Sequence, residues 1–303
     1  EGDDTVTATP TAGEITLNAP DAITYRDLST HPGCSTAGLS YTASTISGYT
    51  CAAKTYQSVD DADAGAPIVL LVHGNSDTPS SWESYPAGDD TALPQLAERL
   101  VDGGFAAYAV DMRIDLVDDP QGNNETENAA RNIDHGWGTP IVAHLIESTM
   151  KAWPNRRVSV VGFSLGSTVV RDALRKLHNE SDINVWAQLK DVVLLAGANH
   201  GVSTYYLCGS NPTMRGQVAC EMGARDAYSP TAFHIPLNGT DGIWETPCSD
   251  GDSAFGETDQ CEGNAPYYTT VVMQDISDGT YQDLFVSEAS AALSGANNNL
   301  IGL

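Results

Sequence analysis

The chain reads as an α/β protein with a mostly parallel sheet covered by helices on both faces. Three observations predict this. Residues 67–72 (P-I-V-L-L-V) are a continuous apolar run, the mark of a strand buried on both faces. Short runs of the same kind recur at 105–110, 157–161, 191–195 and 269–273. Between the earlier runs lie stretches of helical period, ended by a glycine pair or a proline.

The elements follow in order. Residues 1–65 are rich in Thr, Ser, Ala and Asp, with a few short β-like runs such as 47–57. We take 1–66 as an N-terminal extension and 67–303 as the main domain. The first buried strand, 67–72, ends at His73-Gly74. An amphipathic helix is expected over 91–103, stopped by Gly103-Gly104, and a second strand over 105–110, ending at Asp111. Residues 112–138 form a polar loop, and 139–153 a helix that stops before Pro154. The strand at 157–161 leads into a helix over 164–178. Strands at 191–195 and 269–273 follow, and 297–303 has the pattern of a last strand. The stretch at about 200–266 is too long to be a simple connection and reads as a lid or binding insertion.

Composition narrows the function. The 303 residues are 41% apolar, enough for a full core. Lys and Arg number 14 against 40 Asp and Glu, a net charge of −26. Nucleic-acid binding needs clustered cations, so that class is excluded as an expectation, as is docking on an anionic membrane. No run is long enough for a membrane-spanning helix. So many unpaired carboxylates repel one another unless salt screens them, which suits a salty medium.

The six cysteines are Cys34, Cys51, Cys208, Cys220, Cys248 and Cys261. None forms a C-x-x-C pair or has a His at zinc spacing, so no metal site is expected. Six cysteines allow fifteen pairings, of which the short loops favour Cys34–Cys51, Cys208–Cys220 and Cys248–Cys261. Disulfides imply an oxidising compartment. The polar opening E-G-D-D-T-V-T-A-T-P suits a mature, extracellular chain whose signal peptide has been removed. Sequons stand at Asn124, Asn179 and Asn238.

Gly162-Phe163-Ser164-Leu165-Gly166 follows a strand and opens a helix. In that context G-x-S-x-G is a nucleophile elbow: small residues two positions either side allow a turn that lifts the serine hydroxyl clear of the sheet. The helix N-terminus beneath it favours a developing oxyanion.

The runs P-I-V-L-L-V-H-G-N-S-D-T-P-S-S-W, V-S-V-V-G-F-S-L-G-S and V-V-L-L-A-G-A-N-H-G resemble the α/β-hydrolase superfamily. More narrowly, residues 67–303 are similar to bacterial extracellular lipases and esterases of the small Bacillus type and to related polyester depolymerases. They depart from the Bacillus lipases in having Gly162 where those have Ala, in the cysteine-bearing insertion and in the N-terminal region. The resemblance implies a carboxylic ester hydrolase acting through an acyl-enzyme on Ser164, without metal or organic cofactor. It implies an oxyanion hole made by the backbone N–H groups of Asn75 and Leu165. His73 reads as a structural residue of the same loop. Asp283, in D-L-F-V followed by L-S-G-A-N-N-N, matches the family's acid, with Asp278, before Gly279, as the alternative. Asp275 is a further carboxylate after the same strand.

The general base is left open. The family's order places its His after the acid, and its spacing puts that His a few residues beyond Leu303. His200 or His234 could serve instead, while His31, His135, His144 and His178 have no supporting motif. A non-catalytic binding protein on the same scaffold is the alternative function. Tyr205, Tyr206, Leu207, Met214, Met222, Phe233 and Trp244 in the insertion suit an apolar ester, either small or polymeric, unless they pack the insertion itself.

Overall fold

The structure, a computed structural model, describes residues 53–74, 79–83, 95–110, 139–201, 245–248, 266–274 and 286–302. Its strands are β1 (Ala53–Gln57), β2 (Ile68–Val72), β3 (Ala106–Val110), β4 (Val158–Phe163), β5 (Leu189–Leu195), β6 (Tyr267–Gln274) and β7 (Asn297–Gly302). Its α-helices are α1 (Leu96–Asp102), α2 (Thr139–Ala152), α3 (Leu165–Glu180), α4 (Val185–Gln188) and α5 (Glu288–Ala291).

The strands form one sheet in the order β1-β3-β2-β4-β5-β6-β7. β1 runs antiparallel to β3, and every other pairing is parallel. The mostly parallel α/β fold expected from the apolar runs is therefore present, in a form consistent with an α/β hydrolase.

All five residues of β2 and of β3 are buried, which is why those runs carry no polar residue. Alternate side chains feed two cores. Ile68, Leu70, Tyr108, Val158 and Val160 pack on the face covered by α2 and α3. The α3 residues Val169, Val170, Ala173, Leu174 and Leu177 recur on one helical stripe and meet them. Val69, Leu71, Ala109 and Val161 face the other way, onto Trp82 and Ala97 of α1.

Several boundaries differ from the pattern-based ones. β4 continues to Phe163, because the register with β5 holds up to Leu195. β5 begins at Leu189, before the charged Lys190-Asp191 that hid its start. α1 starts at Leu96 after an extended Gln95, and residues 91–94 lie outside the described part. Two short elements had no pattern to announce them. One is α4, capped by Asn184, whose side chain accepts from Ala187 N–H. The other is a 3₁₀ turn at Pro79–Trp82.

The chain passes from β2 to β3 on one side and then to β4 on the other. The strand order therefore switches at β2. In open α/β sheets the crevice beyond the carboxyl ends at such a point is where ligands bind. His73-Gly74 and Ser164 both lie there.

Of the expected insertion, 202–244 and 249–265 fall outside the described residues. Cys248 is buried and disulfide-bonded. The other five cysteines, and with them the expected pairings, lie outside the described part. Among the described residues no helix is long and apolar enough to cross a membrane.

Candidate active site

Ser164 occupies the N-cap position of α3 with φ 52° and ψ −122°. This is the left-handed half of backbone space, which a residue with a Cβ enters at a cost of roughly 1–3 kcal/mol. The surroundings enforce it. A Cβ on Gly162 would lie 2.7 Å from Ser167 Cα, and one on Gly166 would collide with the carbonyl oxygens of Val72 and His73. Glycine at both positions lets strand, turn and helix close within five residues. Ser164 N–H donates to Leu195 O at 2.8 Å, and Ser167 N–H returns to Ser164 O at 3.0 Å. Ser167 Oγ donates to Gly162 O at 3.0 Å, bracing the turn from below. The sharp strand–turn–helix passage expected of G-F-S-L-G is present.

Leu165 opens α3 and its side chain is buried. The first N–H groups of a helix have no partner within it. Across the crevice, Gly74 packs closely: a Cβ there would lie 3.1 Å from both Phe163 Cδ1 and Ser164 Cβ. His73 is fully buried, with Nδ1 2.9 Å from Gly74 O, as suits a ring that shapes the loop.

Asn75, Asp275, Asp278, Asp283 and His234 lie outside the described residues, as do His31 and His135. So does the side chain of His144. His178 Nδ1 accepts from Trp186 Nε1 at 3.3 Å, an internal contact between α3 and α4.

His200 has a partner that sequence spacing did not announce. Its Nε2 lies 2.6 Å from Glu245 Oε1 and its Nδ1 3.2 Å from Ser290 O. Both ring nitrogens therefore face acceptors. Glu245 Oε2 accepts from Ser294 N–H at 2.8 Å, and Glu245 O accepts from the buried Arg171 at 3.3 Å. Burial alone would raise the Glu245 carboxyl. The His200 hydrogen bond and charge, the Ser294 N–H and the Arg171 charge outweigh it and hold the group below its ordinary value. Burial in turn lowers Arg171 to about 10, against the pull of Glu245. Forty-five positions separate His200 from Glu245, so no local pattern could have paired them. Among the described residues no group of His, Cys, Asp and Glu could hold a metal ion.

Residues 120–198 match the model of a family described as "Alpha/beta hydrolase of unknown function (DUF900)". No curated protein matches the chain. Among solved structures, the mature form of Bacillus licheniformis lipase BlEst2 is 18% identical with a TM-score of 0.47, covering 82% of this chain and 89% of that one. Phospholipase PlaB from Legionella pneumophila is 18% identical with a TM-score of 0.43, over 75% of this chain and 46% of that one. Naproxen esterase (carboxylesterase NP) from Bacillus subtilis is 13% identical with a TM-score of 0.41, over 91% and 86%. The chain is thus similar to α/β hydrolases of unknown function over the stretch that carries Ser164, in a sheet consistent with that fold.

Proposed function

We propose that this protein is a secreted serine hydrolase of carboxylic esters. The observation that carries the reading is the backbone of Ser164, held at φ 52° between two glycines at the head of a helix. The surrounding packing fixes the conformation of residue 164 but not its identity as serine. A nucleophile that must stand clear of the sheet accounts for both.

In this reading Ser164 Oγ attacks the ester carbonyl carbon and gives its proton to a histidine base. The N–H groups of Leu165 and Asn75 take the developing oxyanion, at about 3 kcal/mol for each donor. The alcohol leaves with the proton from that histidine, and water then cleaves the acyl-enzyme. Asp283 orients the base, with Asp278 as the alternative acid. His200 is disfavoured as the base, because its ring nitrogens face Glu245 and Ser290 O. No metal or organic cofactor enters this chemistry. The net charge of −26 favours a neutral substrate over an anionic one. The disulfide at Cys248 supports an extracellular location.

Hydrolysis of p-nitrophenyl butyrate tests the reading. Wild type should turn it over, and Ser164→Ala should lose on the order of 10³-fold or more in kcat. Equal activity in Ser164→Ala would overturn Ser164 as the nucleophile, and no activity in wild type would favour the non-catalytic binding protein.

A further inference from the structure

The chain that leaves β2 is fixed at two places. At the near one, Gly74 rests on Phe163 and Ser164. At the far one, the Pro79–Trp82 turn sets Trp82 edge-on to Phe163, with ring centroids 6.4 Å apart at 78°. Only residues 75–78 lie between, and each residue reaches at most about 3.6 Å, so the position of the far end limits how far the near end can move from Ser164.

The far end is itself tied to the sheet's edge. The Tyr56 hydroxyl lies 2.8 Å from Pro79 O and 2.7 Å from Glu83 Oε1, within reach of either acceptor for its one proton. Lys54 Nζ lies 2.5 Å from the same Glu83 oxygen and 5.0 Å from the Tyr56 ring centre. The Lys54 side chain is only 7% exposed. A buried ammonium is costly unless paired, so the cluster acts as a unit: Glu83 neutralises Lys54, and Tyr56 joins both to the Pro79 carbonyl. β1 lies three strands from β4, roughly 14 Å across the sheet at ordinary spacing. The Pro79–Trp82 turn, whose Trp82 meets Phe163 next to Ser164 in the chain, is therefore tied to β1, three strands away.

We propose that Tyr56 and Glu83, seated on Lys54, are positioning residues for the reaction at Ser164. They anchor Pro79–Glu83 to β1 and so limit how Gly74 sits against Ser164. This rests on the ester-hydrolase reading. Misplacing groups that meet a transition state costs rate more than ground-state binding.

The test compares kcat, KM and Tm for p-nitrophenyl butyrate hydrolysis by the full chain. Tyr56→Phe keeps the ring under Lys54 and removes only the hydroxyl. Glu83→Gln keeps the shape and removes the charge. Each should lower kcat about tenfold with KM within about twofold, a smaller loss than deleting an oxyanion donor outright. Ser58→Ala is the structural control, since it breaks the Ser58–Asp61 bond just after β1 without touching Pro79 or Glu83. It should lower Tm and leave kcat unchanged. Unchanged kcat in both variants, or an equal kcat loss in Ser58→Ala at matched Tm, overturns the positioning role while leaving Ser164 as nucleophile. A Ser164→Ala enzyme as active as wild type overturns the hydrolase reading, and this inference with it.

Discussion

Two residues show how local geometry is held at the expense of easier alternatives. Gly166 faces the carbonyls of Val72 and His73 with no room for a methyl group. Both obstacles are backbone atoms at the end of the central strand β2, Val72 within it and His73 just after it, and cannot swing aside. Gly166→Ala should therefore lose on the order of 3 kcal/mol of stability in urea unfolding, as overpacking in a rigid site does. Glu245 has the opposite character: its stabilising partners are charges and N–H groups. Its folded-state pKa is depressed. Its contribution to stability is thus fully present above the ordinary glutamate range and is lost as pH falls through the lower folded value. Wild-type Tm should fall on acidification through that window. Glu245→Gln should start lower and show a weaker slope there. Parallel curves for the two proteins would refute the linkage.

At the scale of elements, what could be read in the sequence depended on whether its cause was local. β2 and β3 were legible because burial on both faces removes every polar residue from a run. The elbow was legible because one turn needs small residues at fixed offsets around Ser164. The start of β5 was hidden, since Lys190 is exposed on a strand otherwise read as apolar. The four-residue α4 is too short for periodicity, and its one local cue is the Asn184 cap. The His200–Glu245 and Tyr56–Glu83 contacts were invisible for a different reason. They join side chains 45 and 27 positions apart, and only the sheet order brings those segments together. The resemblance supplied names for Asn75 and Asp283, which lie outside the described residues.

For the molecule as a whole, charge is the dominant variable. Forty acidic side chains against fourteen basic ones leave most carboxylates without a cation, although Lys54, Lys151 and Arg175 are each paired with at least one. Raising ionic strength from about 0.1 M to 1 M shortens the screening length from about 10 Å to about 3 Å. Tm should rise by several degrees over that range of NaCl. A flat or falling curve would contradict a fold limited by self-repulsion. The His200–Glu245 contact also bears on how this molecule can change over generations. It ties His200, just after β5, to Glu245, so the two described residues flanking the stretch 202–244 are held close together. In general, doubling the length of a flexible connection between two fixed ends costs only about 0.6 kcal/mol in closure entropy. Natural variation can therefore rewrite that stretch extensively while the hydroxyl of Ser164 stays where it is.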